Sequence, residues 1–147
     1  MISFYQRYLG FLKMLGDLPP LFFRLTLAHG FYEPAMNKVK HFDNIVEWFR
    51  TGLGLPFPEI NALLATATEV AGVCLLLLGL GIRFISIPLM VVMLVAIGTV
   101  HWSNGFPAGK NGFEIPLYYL LMLFSLLVSG AGRFSIDAVI ARKMRQE

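Results

Sequence analysis

Residues 60–82 read INALLATATEVAGVCLLLLGLGI, and Glu69 is the one charged residue in the run. The hydrocarbon core of a bilayer is about 30 Å thick and takes about 20 residues of helix to cross. The segment therefore predicts a membrane-spanning helix. A carboxylate near its middle costs roughly 2.5–3.5 kcal/mol on insertion scales, so it needs a partner, a proton or a function. This one stretch points to an all-α integral membrane protein with a polar site inside it.

The flanking sequence extends that reading. No Asp, Glu, Lys or Arg occurs from residue 84 to 109, which predicts a second apolar span over about 84–102 with Pro88 in its early turns. A third span is predicted over about 114–130, with Pro116 in its first turn and Gly130 and Gly132 closing it. A span over about 18–35 is opened by Pro19-Pro20 and closed near Pro34. Four spans in 147 residues make a single-domain four-helix membrane bundle with no room for a second domain. Residues 1–17 lack the long apolar core of a secretory signal and carry Arg7, Lys13 and Asp17. They read as an amphipathic helix on the membrane surface, with Phe4, Leu9, Phe11 and Leu12 among its apolar residues. Phe42, Ile45, Val46 and Phe49 fall at i, i+3, i+4, i+7, which predicts a short interfacial helix ended by Gly52-Leu53-Gly54 and Pro56.

Composition agrees. Charged residues make up 14% of the chain, against roughly 25% in an ordinary soluble domain. A net charge of +3 without a basic stripe interleaved with aromatics sets nucleic acid aside as a partner. Cys74 is the single cysteine, so there is no disulfide framework, C-x-x-C redox pair or thiolate metal cluster. The side bearing both termini collects Arg7, Lys13, Arg83, Arg133, Arg142, Lys143 and Arg145, and the other holds Lys38, Lys40, Arg50 and Lys110. The positive-inside rule then places both termini in the cytoplasm and the two longer loops outside.

Helical spacing says where the polar groups point. Ala62, Ala65, Glu69, Gly72 and Gly79 share one face, and small residues let helices approach closely, so Glu69 is expected to face the bundle interior. Glu114, Tyr118, Ser125 and Ser129 form a stripe on the last span that is also expected inside. His101 shares a face with Met90, Leu94 and Ile97. At about 1.5 Å per residue, His101 and Glu114 lie at matching heights roughly 12 Å outward from Glu69, where they could pair. On the first span His29 and Glu33 are i, i+4, whereas Arg24 is about 140° from His29 around an ideal helix. Either Arg24 faces Glu69 as an ion pair, or the His29/Glu33 face lines the interior.

Each of these residues has a plain and a functional reading. Glu69 with Arg24 is either a buried pair that fixes helix register or a proton-carrying centre. His101 and Glu114, with His29 and Glu33, are either interfacial groups or candidate ligands for a divalent metal. Trp48, Trp102, Tyr118 and Tyr119 form an interface belt, and Tyr118 and Trp102 are the candidate cofactor-binding aromatics. Met90, Met93 and Met122 are core filler before they are soft copper ligands.

Arg24, the Glu69-x-x-Gly72 step running into LLLLGLGIR (75–83) and the polar group around His101 resemble the DoxX family of small four-helix bacterial membrane proteins. RLTLAHGFYEPAMNK (24–38), EWFRTGLGLPFP (47–58), HWSNGFPAGKNGFEIPLYY (101–119) and GAGRFSID (130–137) resemble its HvfX-like branch. His29 departs from that branch, where an aromatic is expected. The branch resemblance implies maturation of copper-binding modified peptides, with soluble maturation enzymes and a Cys-rich peptide as partners. The wider family implies sulfur and quinone redox chemistry.

Three functions follow as expectations. The first is an accessory protein of a copper-stress system, with His101 and Glu114 as outward ligands and Glu69 as inner ligand or proton acceptor. The second is a quinone-linked redox subunit in which Glu69 and His101 exchange protons. No flavin, haem or dithiol motif occurs in the sequence, so a partner would carry the electrons. The third is a membrane scaffold that recruits soluble enzymes through Arg142, Lys143 and Arg145. A homo-oligomer is compatible with all three.

Overall fold

A computed structural model describes residues 2–146, with side chains from Tyr5 onward, so the side chain of Phe4 lies outside the described residues. The described residues are mostly helical and include no strand. The helices are α1 (Ile2–Leu15), α2 (Leu18–Lys40), α3 (Phe42–Glu47), α4 (Pro58–Leu78), α5 (Ile82–Ala96), α6 (Glu114–Ser129) and α7 (Ile136–Met144). α2 packs on α4 and α6, and α5 packs on the same two helices. Leu27, Phe31, Leu76, Leu89, Leu123 and Leu126 fill the space between them. By length and composition, Pro58–Leu78 and Ile82–Asn104 are long and apolar enough to cross a membrane, while Glu114–Ser129 is apolar but shorter.

α2 corrects the expected first span. It does not end near Pro34 but runs on to Lys40, with Pro34 inside it. A proline removes one backbone N–H, here the one that would bond the carbonyl of Gly30. The turns on either side hold, because Phe31 and Ala35 are fully buried. The helix therefore delivers Lys38 to the same face as Arg24, Leu27, Phe31 and Ala35, at steps of three and four.

α4 and α5 form a hairpin whose turn depends on glycine. Gly79 and Gly81 have φ of 65° and 60°, a region that side chains with a Cβ rarely adopt. At Gly79 a Cβ would also overlap the Arg24 guanidinium. The start of α5 is capped from a distance: the Asp137 carboxylate accepts the Gly81 and Ile82 N–H groups at 2.8 and 3.2 Å. A carboxylate suits the positive end of a helix dipole. α7 has its own cap, Ser135, whose hydroxyl accepts the Ala138 N–H at 3.2 Å.

A further departure concerns the inward face of α6. α6 buries Pro116, Leu123 and Leu126, whereas Tyr118 and Ser129 are exposed. The stripe of Glu114, Tyr118, Ser125 and Ser129 is thus not the inward one. Ser129 satisfies its hydroxyl on the Ser125 carbonyl at 2.7 Å, which removes the need for a polar interior. The short helix over 42–47 does form as expected. It continues into a π-helical turn, Trp48–Gly52, and seats Val46 and Phe49 against Ala62 of α4.

Candidate functional site

Glu69 is 3% exposed and its partner is Lys38, not Arg24. Lys38 Nζ donates to both carboxylate oxygens, at 2.8 and 3.1 Å. Arg24 and Lys38 are fourteen residues apart on one helix, about 21 Å along its axis, so an arginine at 24 cannot reach the acid that Lys38 holds. Arg24 sits at the other end of α4, 1% exposed, with Nη2 donating to the Phe134 carbonyl at 2.7 Å. Its Nε and Nη1 have no hydrogen-bond partner among the described residues. Arg24 fastens α2 to the 130–135 segment and to the end of α4.

The Lys38–Glu69 pair lines a cavity of about 800 Å³. α2 contributes Gly30, Phe31 and Pro34, α4 contributes Ala65 and Thr68, and α6 contributes Tyr119. The cavity opens sideways between α4 and α5. Leu64 on one helix and Ile87, Val91 and Val95 on the other line it and are themselves exposed. Its walls are otherwise largely apolar, with a few polar groups converging, as is usual for a small-molecule site.

Two π-helical turns close the end of the cavity away from the Gly79–Gly81 turn. Trp48–Gly52 presents Trp48 and Phe49, and Ile97–His101 presents Thr99, Val100 and His101. A π turn is wider than an α turn and recurs at functional sites. It also sets His101 back around the α5 axis. His101 therefore joins the cavity face of Val91, Val92, Val95 and Ala96 instead of the face of Met90, Leu94 and Ile97. Its Nδ1 lies 2.8 Å from the Asn111 carbonyl, and Asn104 Nδ2 donates to the same oxygen at 3.1 Å.

The proposed metal ligands do not converge. The expected His101–Glu114 pair is not formed: the Glu114 carboxylate accepts the Ala108 N–H at 2.8 Å and the Tyr118 hydroxyl at 3.0 Å. His29 and Glu33 lie on the exposed side of α2. Among the described residues no group of three or more His, Cys, Asp or Glu is placed to hold a metal ion. His101, Glu114, His29 and Glu33 are therefore not brought together as one set of ligands. Tyr118 and Trp102 also lie outside the cavity: Tyr118 is spent on Glu114, and Trp102 stacks on Phe113 at 5.3 Å. The aromatics that do line the cavity are Phe31, Trp48, Phe49 and Tyr119, while Lys38 is the residue that sequence reasoning missed. Its signal was the spacing Arg24, Leu27, Phe31, Ala35, Lys38.

The family model described as DoxX matches residues 20–102, the stretch that carries Arg24, Lys38, Glu69 and His101. The chain belongs to the DoxX family. An uncharacterized protein of Haemophilus influenzae is 30% identical over 125 residues, covering 83% of this chain and 83% of the relative. No solved structure matches. As a DoxX protein the chain is a membrane protein.

Proposed function

We propose that this DoxX protein binds a lipid-soluble quinone in the cavity between α4 and α5 and serves as the membrane subunit of a redox system. One observation carries the reading: a large, mostly apolar cavity, with exposed apolar residues of α4 and α5 in its wall, contains the Glu69–Lys38 pair and His101. A quinone ring needs an apolar slot, a route from the bilayer, and donors for its oxygens. Lys38 supplies a donor, and Ala65, Val91 and Val95 supply the slot. His101, whose Nδ1–H is spent on the Asn111 carbonyl, offers Nε2 as an acceptor for a quinol hydroxyl. The ligand would bring two-electron, two-proton chemistry, with electrons from a partner protein. The chain's own part is to bind, orient and hold protons. Lys38 fixes the Glu69 carboxyl group in a water-poor site and would have to release it for Glu69 to carry a proton to the ligand. His101 is the imidazole at the far end, with its ring oriented by the Asn111 carbonyl.

The same reading takes all four long helices as spans, with the termini in the cytoplasm and α1 on the membrane surface. Placement in the HvfX-like branch, and with it service to a copper-peptide system, rests on the resemblance of residues 24–38 and 101–119. It calls for no copper ligand on this chain. The test is photolabelling of the detergent-purified protein with an azido-quinone, followed by peptide mapping. Labelling confined to 60–69 and 87–101, and displaced by excess unlabelled quinone, supports the site. Labelling spread over the exposed faces of α5 and α6, and not displaced, overturns it.

A further inference from the structure

A second site lies at the opposite end of the molecule and uses none of the cavity residues. Arg133, Arg142 and Arg145 surround a depression of about 490 Å³ whose floor is Ala138 and Ala141. Positions 138, 141, 142 and 145 follow the three- and four-residue steps of one helical face, so α7 directs two of the three guanidinium groups to one place. The alanines leave the room between them. Arg133 comes from the loop before α7 and is held there by Asp17, whose carboxylate accepts the Arg133 backbone N–H at 3.1 Å and lies 3.7 Å from its Nε. Among the described residues Arg142 and Arg145 have no ion-pair partner. The acid of α7 itself, Asp137, is turned away to cap α5.

The rest of α7 says what sort of anion this is. Ile136, Val139, Ile140 and Met144 form a stripe beside the basic face, and all four are exposed. A short helix with one apolar face and one cationic face lies in the interface of a bilayer, its apolar face at the acyl boundary and its cations at headgroup height. Guanidinium forks match phosphate oxygens in pairs. We propose that Arg133, Arg142 and Arg145 bind the phosphate of an anionic phospholipid whose acyl chains run beside Ile136 and Ile140. The site rests on the membrane embedding of the chain and not on the quinone reading.

The experiment is native mass spectrometry of the intact detergent-purified protein, titrated with dioleoylphosphatidylglycerol or with dioleoylphosphatidylcholine. The Arg142→Gln and Lys143→Gln variants remove the same charge at adjacent positions, only one of which lines the depression. The expected result is a saturable phosphatidylglycerol adduct that phosphatidylcholine does not form. Arg142→Gln should weaken it about fivefold, and Lys143→Gln should leave it within twofold. Equal losses in the two variants would overturn the proposal, since diffuse attraction would then account for binding. So would competition by millimolar inorganic phosphate alone, which would make the site one for a free anion. Circular dichroism of each variant guards against a folding defect, and Arg142→Lys, which keeps the charge but loses the fork, should restore the adduct only in part.

Discussion

Lys38 Nζ lies 2.8 Å from Glu69 Oε2, which joins the last turns of α2 to the middle of α4 through two nearly buried charges. Desolvation makes such a pair a poor source of net stability, yet removing one member strands the other. Glu69→Leu and Lys38→Met alone are each expected to destabilise the protein by about 3–5 kcal/mol. The double variant should recover most of that loss. Reversible unfolding in mixed micelles, read as a double-mutant cycle, checks this. Additive losses would mean that the two side chains do not depend on each other.

The paired glycines of the α4–α5 turn separate backbone strain from collision. Both have positive φ, but a Cβ at Gly81 meets open space and one at Gly79 meets Arg24 and Ser135. Gly81→Ala is expected to cost about 1 kcal/mol from backbone strain alone. Gly79→Ala should cost at least twice as much, and Gly79→Ala combined with Arg24→Ala should cost less than the sum of the single changes. The same unfolding assay measures all three.

Gly30 lets the Tyr119 ring lie against α2, since a Cβ there would overlap the ring. Phe31 supports the ring from beside it, with centroids 5.6 Å apart. Gly30→Ala is therefore expected to push Tyr119 out of place and to weaken quinone binding about tenfold, a loss of about 1.4 kcal/mol. Adding Tyr119→Leu should restore part of it. Equilibrium dialysis against a short-chain quinone reads both variants.

Because the candidate metal donors are dispersed, His101→Ala is expected to leave the copper content of the purified protein unchanged from that of the parent chain. Its effect should fall on the loop instead: the ring lies 2.8 Å from the Asn111 carbonyl, and the 105–113 turn closes through the Phe113 N–H on the Gly105 carbonyl at 3.1 Å. Faster hydrogen exchange across residues 105–113 is the expected signature. Stoichiometric copper lost on His101→Ala would contradict the placement of the donors.

Much of this was legible in residues 60–82. Length, apolarity and the small-residue face set α4 and put Glu69 inside, but the span read to Ile82 ran through the glycine turn, since α4 ends at Leu78 and Gly79 caps it. The partner of Glu69 was not legible, because Pro34 reads as a stop signal and leaves Lys38 looking like a loop cation. Only packing of Phe31 and Ala35 carries the helix past the proline. His101 was misplaced around α5 for a different reason. A π turn inserts no recognisable residue type, so a 3.6-residue count runs through it and comes out on the wrong face. The polar stripe of α6 misled because serine can satisfy itself on its own helix, which frees the apolar side to pack. The resemblance at 101–119 marked the right region but, without the backbone, not which of its aromatics faced the cavity.

The most direct test uses Trp48, which lines the cavity, with Trp102→Phe removing the other tryptophan. Fluorescence of this single-tryptophan protein is titrated with decylubiquinone in detergent, beside the same protein carrying Ala65→Phe to fill the slot. The expected result is saturable quenching that Ala65→Phe abolishes and that Leu77→Phe, on the exposed side of α4, leaves intact. Quenching that rises linearly with quinone and is the same in all three proteins would contradict a quinone site between α4 and α5.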